Sequence, residues 1–247
     1  GDADSKNETR FWLPGEEDFN ASYGGGNSSM NTKLITIEAT KSGAKNYIID
    51  GLVLQGYGAV IADTSASGGA HNVYVQNCVM NNGYSYDCEM LRFWNRGSGN
   101  TCEKKLYFSN CYITGQKNLC LYSGHASAIR MKGFSYQNCS AGAFYNTNTL
   151  QWQGFSFELV DSHFWNEDGF EMRSNGYGQM FMLQHTGNSQ AMAGTNNEPF
   201  RYNISNNTFY NADSMSKKAN GTYEKNVAFL EISMAGTNED VIIADNT

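Results

Sequence analysis

Charged side chains on alternating segments are the first places to look for chemistry in this chain of 247 residues. In Asp168-Gly169-Phe170-Glu171-Met172-Arg173, strand alternation sends Phe170 and Met172 to one face and Glu171 and Arg173 to the other. A guanidinium beside two carboxylates can take part in proton transfer, or it can be a surface salt bridge of little consequence. In the same way, Leu230 and Ile232 facing inward leave Glu231 outward. The four histidines, His71, His125, His163 and His185, include no i, i+2 or i+4 pair, so a metal site would have to be assembled from separate parts of the chain. His71 and His163 read as structural, while His125 and His185 lie nearer the candidate strands. Trp94, Tyr122, Trp152 and Trp165 fall near strand ends, where aromatic rings either stack on flat apolar ligand faces or pack in a core.

The residues that must position these groups set limits of their own. With 40% hydrophobic and only 17% charged side chains, the chain can bury a core. A net charge of -7 and a pI near 5.1 argue against nucleic acid and against anionic membrane surfaces, both of which demand clustered Lys and Arg. No stretch approaches the roughly 18 apolar residues of a membrane helix, so direct membrane insertion is not expected. The first residues lack signal-peptide order, and Gly1 to Glu8 reads as a tether or a tag remnant. Val241 to Thr247 ends where an alternating strand has just reached its turn, which suggests a truncated or continuing chain.

Twenty-nine asparagines and 26 glycines against two prolines mark a chain that turns often. Alternating apolar residues followed by Asn or Asp and a second short strand recur along it. Clear copies are Tyr47 to Leu54, Val73 to Met80 and Leu106 to Ile113. Weaker copies run from Phe134 to Cys139, Phe155 to Ser162, Tyr202 to Phe209 and Val241 to Thr247. The marked positions are Asp50, Asn77, Asn110, Asn138, Asp161, Asn206 and Asp245. Units of about 28 residues, as the spacing from Asp50 to Asp161 gives, with short strands and no amphipathic helix cannot bury their apolar faces alone, so they must stack. The pattern predicts an all-β solenoid of about seven coils with three short strands per coil. Residues 34-247 form it, and 1-33 supply an N-terminal tether and a cap around Phe11-Trp12-Leu13-Pro14.

Cysteine spacing follows the same repeat. Cys78, Cys111 and Cys139 each follow a marked asparagine, and Cys88 and Cys120 keep a similar interval. Equal register on successive coils allows either ladders of reduced thiols or bridges between coils. Cys102 has no registered partner and falls in a loop. The Asn-x-Ser/Thr triplets at Asn20, Asn138 and Asn206 are what an asparagine-rich chain produces by chance.

The repeated phrase resembles coils of the right-handed parallel β-helix of the pectate-lyase-like superfamily, in which a left-handed asparagine bend stacks from coil to coil. It is also similar to β-helical domains of unknown function in surface or secreted polysaccharide-utilisation proteins of gut Bacteroidetes. The resemblance implies a secreted, periplasmic or cell-surface protein whose partner is a polysaccharide or another glycan. It points to an acidic polysaccharide that is bound or cleaved, by a lyase or a glycoside hydrolase. The alternatives are a non-catalytic glycan-binding or adhesion module and a structural spacer. Under the lyase reading Arg173, Glu171 and Asp168 would be catalytic and calcium a possible cofactor. Trp94, Tyr122, His125, Trp152 and Glu231 would bind substrate, and the protein would be a monomer. The aspartate clusters of calcium-dependent pectate lyases and the paired aspartates of polygalacturonases are not found.

Overall fold

The computed structural model describes residues 9–12, 33–37, 45–55, 59–63, 71–81, 91–93, 104–114, 121–124, 126–137, 144–147, 156–165, 179–184, 200–210, 228–233 and 239–247. Within these, 21 strands form three parallel seven-stranded sheets, and sequential strands fall in sheets one, two and three in strict rotation. That rotation is the parallel β-helix expected from the repeat.

Sheet one contains β1 (Thr9–Trp12), β4 (Leu52–Gln55), β7 (Val79–Asn81), β10 (Tyr112–Thr114), β13 (Ser135–Gln137), β16 (His163–Trp165) and β19 (Thr208–Tyr210). Sheet two contains β2 (Lys33–Ile37), β5 (Ala59–Asp63), β8 (Leu91–Phe93), β11 (Leu121–Gly124), β14 (Phe144–Thr147), β17 (Gln179–Gln184) and β20 (Ala228–Ser233). Sheet three contains β3 (Lys45–Asp50), β6 (His71–Gln76), β9 (Lys104–Ser109), β12 (Ala126–Lys132), β15 (Ser156–Val160), β18 (Phe200–Ser205) and β21 (Glu239–Ala244). β1 pairs in parallel with β4, Thr9 opposite Leu52, so the segment around Phe11 supplies a strand of the first coil.

Period-two alternation puts one face of each strand inside. Val75, Phe108, Met131, Leu159 and Ile204 form one buried row of sheet three, and Leu54, Met80, Ile113, Tyr136 and Phe164 one of sheet one. Aromatic rings run up the interior. Phe108 meets Phe134 edge-on at 6.5 Å, Phe134 stacks near Phe164 at 6.2 Å, and Phe164 stacks on Phe209 at 5.2 Å. Neither proline falls within a described strand, as expected where central strands need their N–H groups on both sides.

The corner between sheets three and one is one or two residues long in every coil. Asn77, Asn110, Asp161, Asn206 and Asp245 sit there with φ between 52° and 56°, the left-handed region that asparagine and aspartate tolerate. Asn77 donates from Nδ2 to Asp50 Oδ1 at 2.8 Å, Asn110 to Asn77 at 3.3 Å and Asn206 to Asp161 at 2.6 Å, the coil-to-coil side-chain ladder that the resemblance implies.

Two positions of that repeat are corrected. In the first coil the left-handed residue is Gly51 (φ 66°) rather than Asp50, which ends β3 and supplies the ladder's terminal acceptor. In the fourth coil the bend falls on Gly133 (φ 62°) and not on Asn138, because Ile129 and Met131 continue the buried rows of sheet three and Tyr136 that of sheet one. Asn138 follows β13, outside the described residues. A Cβ at Gly133 would lie 2.6 Å from Asn110 Oδ1, so the amide below fills the place that an asparagine would have taken.

Candidate functional site

The sequence candidates separate into those the described residues include and those they do not. Asp168, Glu171, Arg173, Trp94, His125 and Trp152 lie outside them. Tyr122 and Glu231 lie on β11 and β20 of sheet two, in one register row that runs Arg92, Tyr122, Tyr145, Met182, Glu231. Two candidates 109 positions apart in sequence are thus brought into line on one sheet by the coil alone.

Sheet three carries the outward face whose side chains are described in most detail. Its middle row runs Ile48, Tyr74, Tyr107, Arg130, Glu158, Asn203. Register places successive members about 4.8 Å apart, which suits flat side chains to stack along the solenoid axis. Tyr74 and Tyr107 do so, with centroids 4.8 Å apart and planes within 10°. The Arg130 guanidinium carbon lies 5.8 Å from the Tyr107 centroid, a cation–π contact. The ring faces between these three are therefore occupied by one another. Edges, hydroxyls and the guanidinium are what the row offers to a ligand.

Polar groups flank this row on both sides. On one, Asn72 donates to Asn46 at 2.8 Å, with Lys105 exposed in the next coil. On the other lie Gln76, Ser109 and Lys132, the last 3.8 Å from Asp161 in an exposed pair of little energetic weight. Arg201 and Asp240 make a similar exposed pair at 3.8 Å. Lys105 and Arg130 have no carboxylate within ion-pair distance among the described residues.

A second cluster lies inside. His71 Nε2 is 2.6 Å from Asp63 Oδ2, and Lys104 Nζ is 3.6 Å from the same oxygen while donating to the Phe93 carbonyl at 3.1 Å. All three side chains are at most 1% exposed, so no substrate reaches them and their work is structural. The Tyr47 ring meets His71 edge-on at 5.7 Å. The buried His71 is structural, as the sequence suggests, and Asp63 and Lys104 join it without any local motif to mark them. The signal lies in alternation: His71-Val73-Val75 and Lys104-Leu106-Phe108 share one parity, which turns the first residue of each strand inward with the apolar ones.

Cys78 and Cys111 occupy the inner side of successive bends as free, buried thiols, which is the reduced-ladder alternative. Cys111 donates to the Val75 carbonyl at 3.3 Å. Burial pushes the Cys78 thiol up and that of Cys111 up to about 12, so neither is a thiolate at neutral pH. Cys88, Cys102, Cys120 and Cys139 lie outside the described residues. In the upper coils the same inner position holds Ser162, Asn207 and Asn246, which the repeat did not single out. Asn207 Oδ1 accepts from the Ser162 amide at 2.9 Å, and Asn207 Nδ2 donates to the Leu159 carbonyl at 2.9 Å. Among the described residues no group of three or more His, Cys, Asp or Glu could hold a metal ion, and no helix is long and apolar enough to cross a membrane. Compared with protein-family models, curated proteins and solved structures, the chain matches none.

Proposed function

We propose that this chain is a non-catalytic glycan-binding module of a secreted, periplasmic or cell-surface protein, taking an acidic polysaccharide along the outer face of sheet three. The pectate-lyase-like resemblance and the similarity to Bacteroidetes polysaccharide-utilisation proteins belong to the same proposal. The observation that carries it is the row Tyr74-Tyr107-Arg130 with Lys105 beside it: two cations that pair with no carboxylate among the described residues, next to tyrosine hydroxyls, on an otherwise acidic chain. Lys105 and Arg130 would meet carboxylates, and the hydroxyls and neighbouring amides would meet sugar hydroxyls.

Affinity electrophoresis through gels containing polygalacturonate or alginate tests this reading. Retardation is expected for the wild type, with a loss of about tenfold in affinity for Arg130→Ala and for Lys105→Ala. Unretarded migration in every acidic glycan, or variants that bind like the wild type, would overturn it. Unsaturated uronate products appearing in the presence of calcium would overturn its non-catalytic part in favour of a lyase.

A further inference from the structure

The outward face of sheet one differs in chemistry from that of sheet three. From β7 to β19 its two outward rows contain no Asp, Glu, Lys or Arg, on a chain of net charge -7. They hold aromatic rings and uncharged polar groups instead, together with Val79 and the His163 imidazole.

The arrangement follows from register. Tyr112 lies opposite Ser135, Ser135 opposite His163, and Gln137 opposite Trp165. Because Ser135 is small, Tyr112 can lean across its coil. The Tyr112 hydroxyl bonds the Gln137 side-chain oxygen, and the Tyr112 ring reaches 6.2 Å from that of Trp165, two coils away, at a tilt of 37°. Tyr210 follows Trp165 in the next coil and is 60% exposed. Behind these residues Tyr136 and Phe164 are fully packed, so the platform stands on a rigid interior. From β10 to β19 it spans three coil steps, about 14 Å along the axis.

We infer that Tyr112, Trp165 and Tyr210, with Gln137 between them, form a second binding site, and that its ligand is an uncharged polysaccharide lying along the solenoid axis. Charge complementarity sets the class: among the described residues this face gives no carboxylate or cationic partner, so a uronate or sulfate would be desolvated there without a counter-ion, whereas a neutral sugar leaves no charge unpaired. Tilted and partly open rings suit the apolar faces of neutral pyranoses, and the Gln137 amide suits their hydroxyls. A protein surface would be the other occupant of exposed aromatic residues. Two faces of different chemistry on one rigid coil would let the protein join an acidic glycan to a neutral one.

The test is affinity electrophoresis of the whole chain through gels containing hydroxyethyl cellulose, galactomannan or polygalacturonate, with light scattering to follow oligomeric state. Trp165→Ala and Tyr210→Ala are compared with Arg130→Ala on sheet three, and circular dichroism checks that each variant is folded. Tyr210 is exposed enough that its replacement leaves the core intact, so Tyr210→Ala keeps the test valid if Trp165→Ala misfolds. Retardation by at least one neutral polysaccharide is expected, weakened about tenfold by Tyr210→Ala and unchanged by Arg130→Ala. If no neutral polysaccharide retards the wild type, or if Tyr210→Ala binds undiminished, the inference is overturned. A dimer that Tyr210→Ala dissociates, without neutral-glycan binding, would also overturn it and make the face a protein contact. Loss of polygalacturonate binding alone would remove the sheet-three reading and leave this one standing.

Discussion

Asp63 holds two cationic or potentially cationic partners with one carboxylate oxygen, in a place that water does not reach. Removing one member of such a buried ion pair costs about 3–5 kcal/mol in comparable cases. Asp63→Asn keeps the shape and removes the charge beside Lys104, so its denaturant midpoint should fall by an amount of that order, with the slope unchanged. An unaltered midpoint would mean that the pair contributes nothing. Cys111 makes a prediction about alkaline pH. Its thiol ionises at about 12 in the folded chain against 9.0 for an ordinary thiol, so above 9.0 the unfolded state releases a proton that the folded state retains. Stability linked to this group is complete below 9.0 and is lost as pH rises from there towards 12. Unfolding titrations between those limits should show a steeper decline for the wild type than for Cys111→Ala.

At the scale of elements, the bend between sheets three and one carries two ladders with different environments. The outer one, Asn77 on Asp50 and Asn206 on Asp161, is exposed to water, which can replace a lost bond. The inner one is not. Asn207 is 1% exposed, accepts from the Ser162 amide, and donates to Leu159 and to Asn246 Oδ1 at 2.9 Å. Asn207→Ala leaves a buried amide and a buried carbonyl unpaired, at about 1–3 kcal/mol each, and should destabilise the chain much more than Asn206→Ala. Equal thermal midpoints for the two variants would contradict the distinction. The asparagine repeat was legible in the sequence because positive φ admits few residue types. The asparagine pattern points to Asn138 for the fourth bend, whereas glycine at Gly133, five positions earlier, satisfies the same backbone without leaving the same mark. The alternation around Ile129, Met131 and Tyr136 held the information that decides between them.

For the molecule as a whole, function depends on which face a ligand meets. If acidic glycans bind sheet three through Lys105 and Arg130, their affinity should fall steeply between low and physiological salt, because the Debye length shortens to about 8 Å at 0.15 M. Neutral glycans on sheet one should show almost no such dependence, and isothermal titration at two salt concentrations separates the two behaviours. Little of this was legible beforehand. Alternation points to Glu231 and a strand-end position to Tyr122, and the coil aligns the two on sheet two. Tyr74, Tyr107, Arg130, Tyr112 and Tyr210 carry no local mark, since nothing in a single strand distinguishes an outward tyrosine that stacks on the next coil from one that does not.

The amino-acid order alone determined that this chain coils into stacked parallel strands, because period-two burial and left-handed bends are properties of a few consecutive residues. It also determined that Cys78 and Cys111 share a register. Which charges meet in the interior, and which aromatic rings meet on each outer face, was decided only by the tertiary structure. Asp63, His71 and Lys104 come from three strands, and Tyr112 and Trp165 from coils two apart. Their meetings depend on the number of residues in each intervening loop and on register between coils, and neither quantity is written in any local pattern.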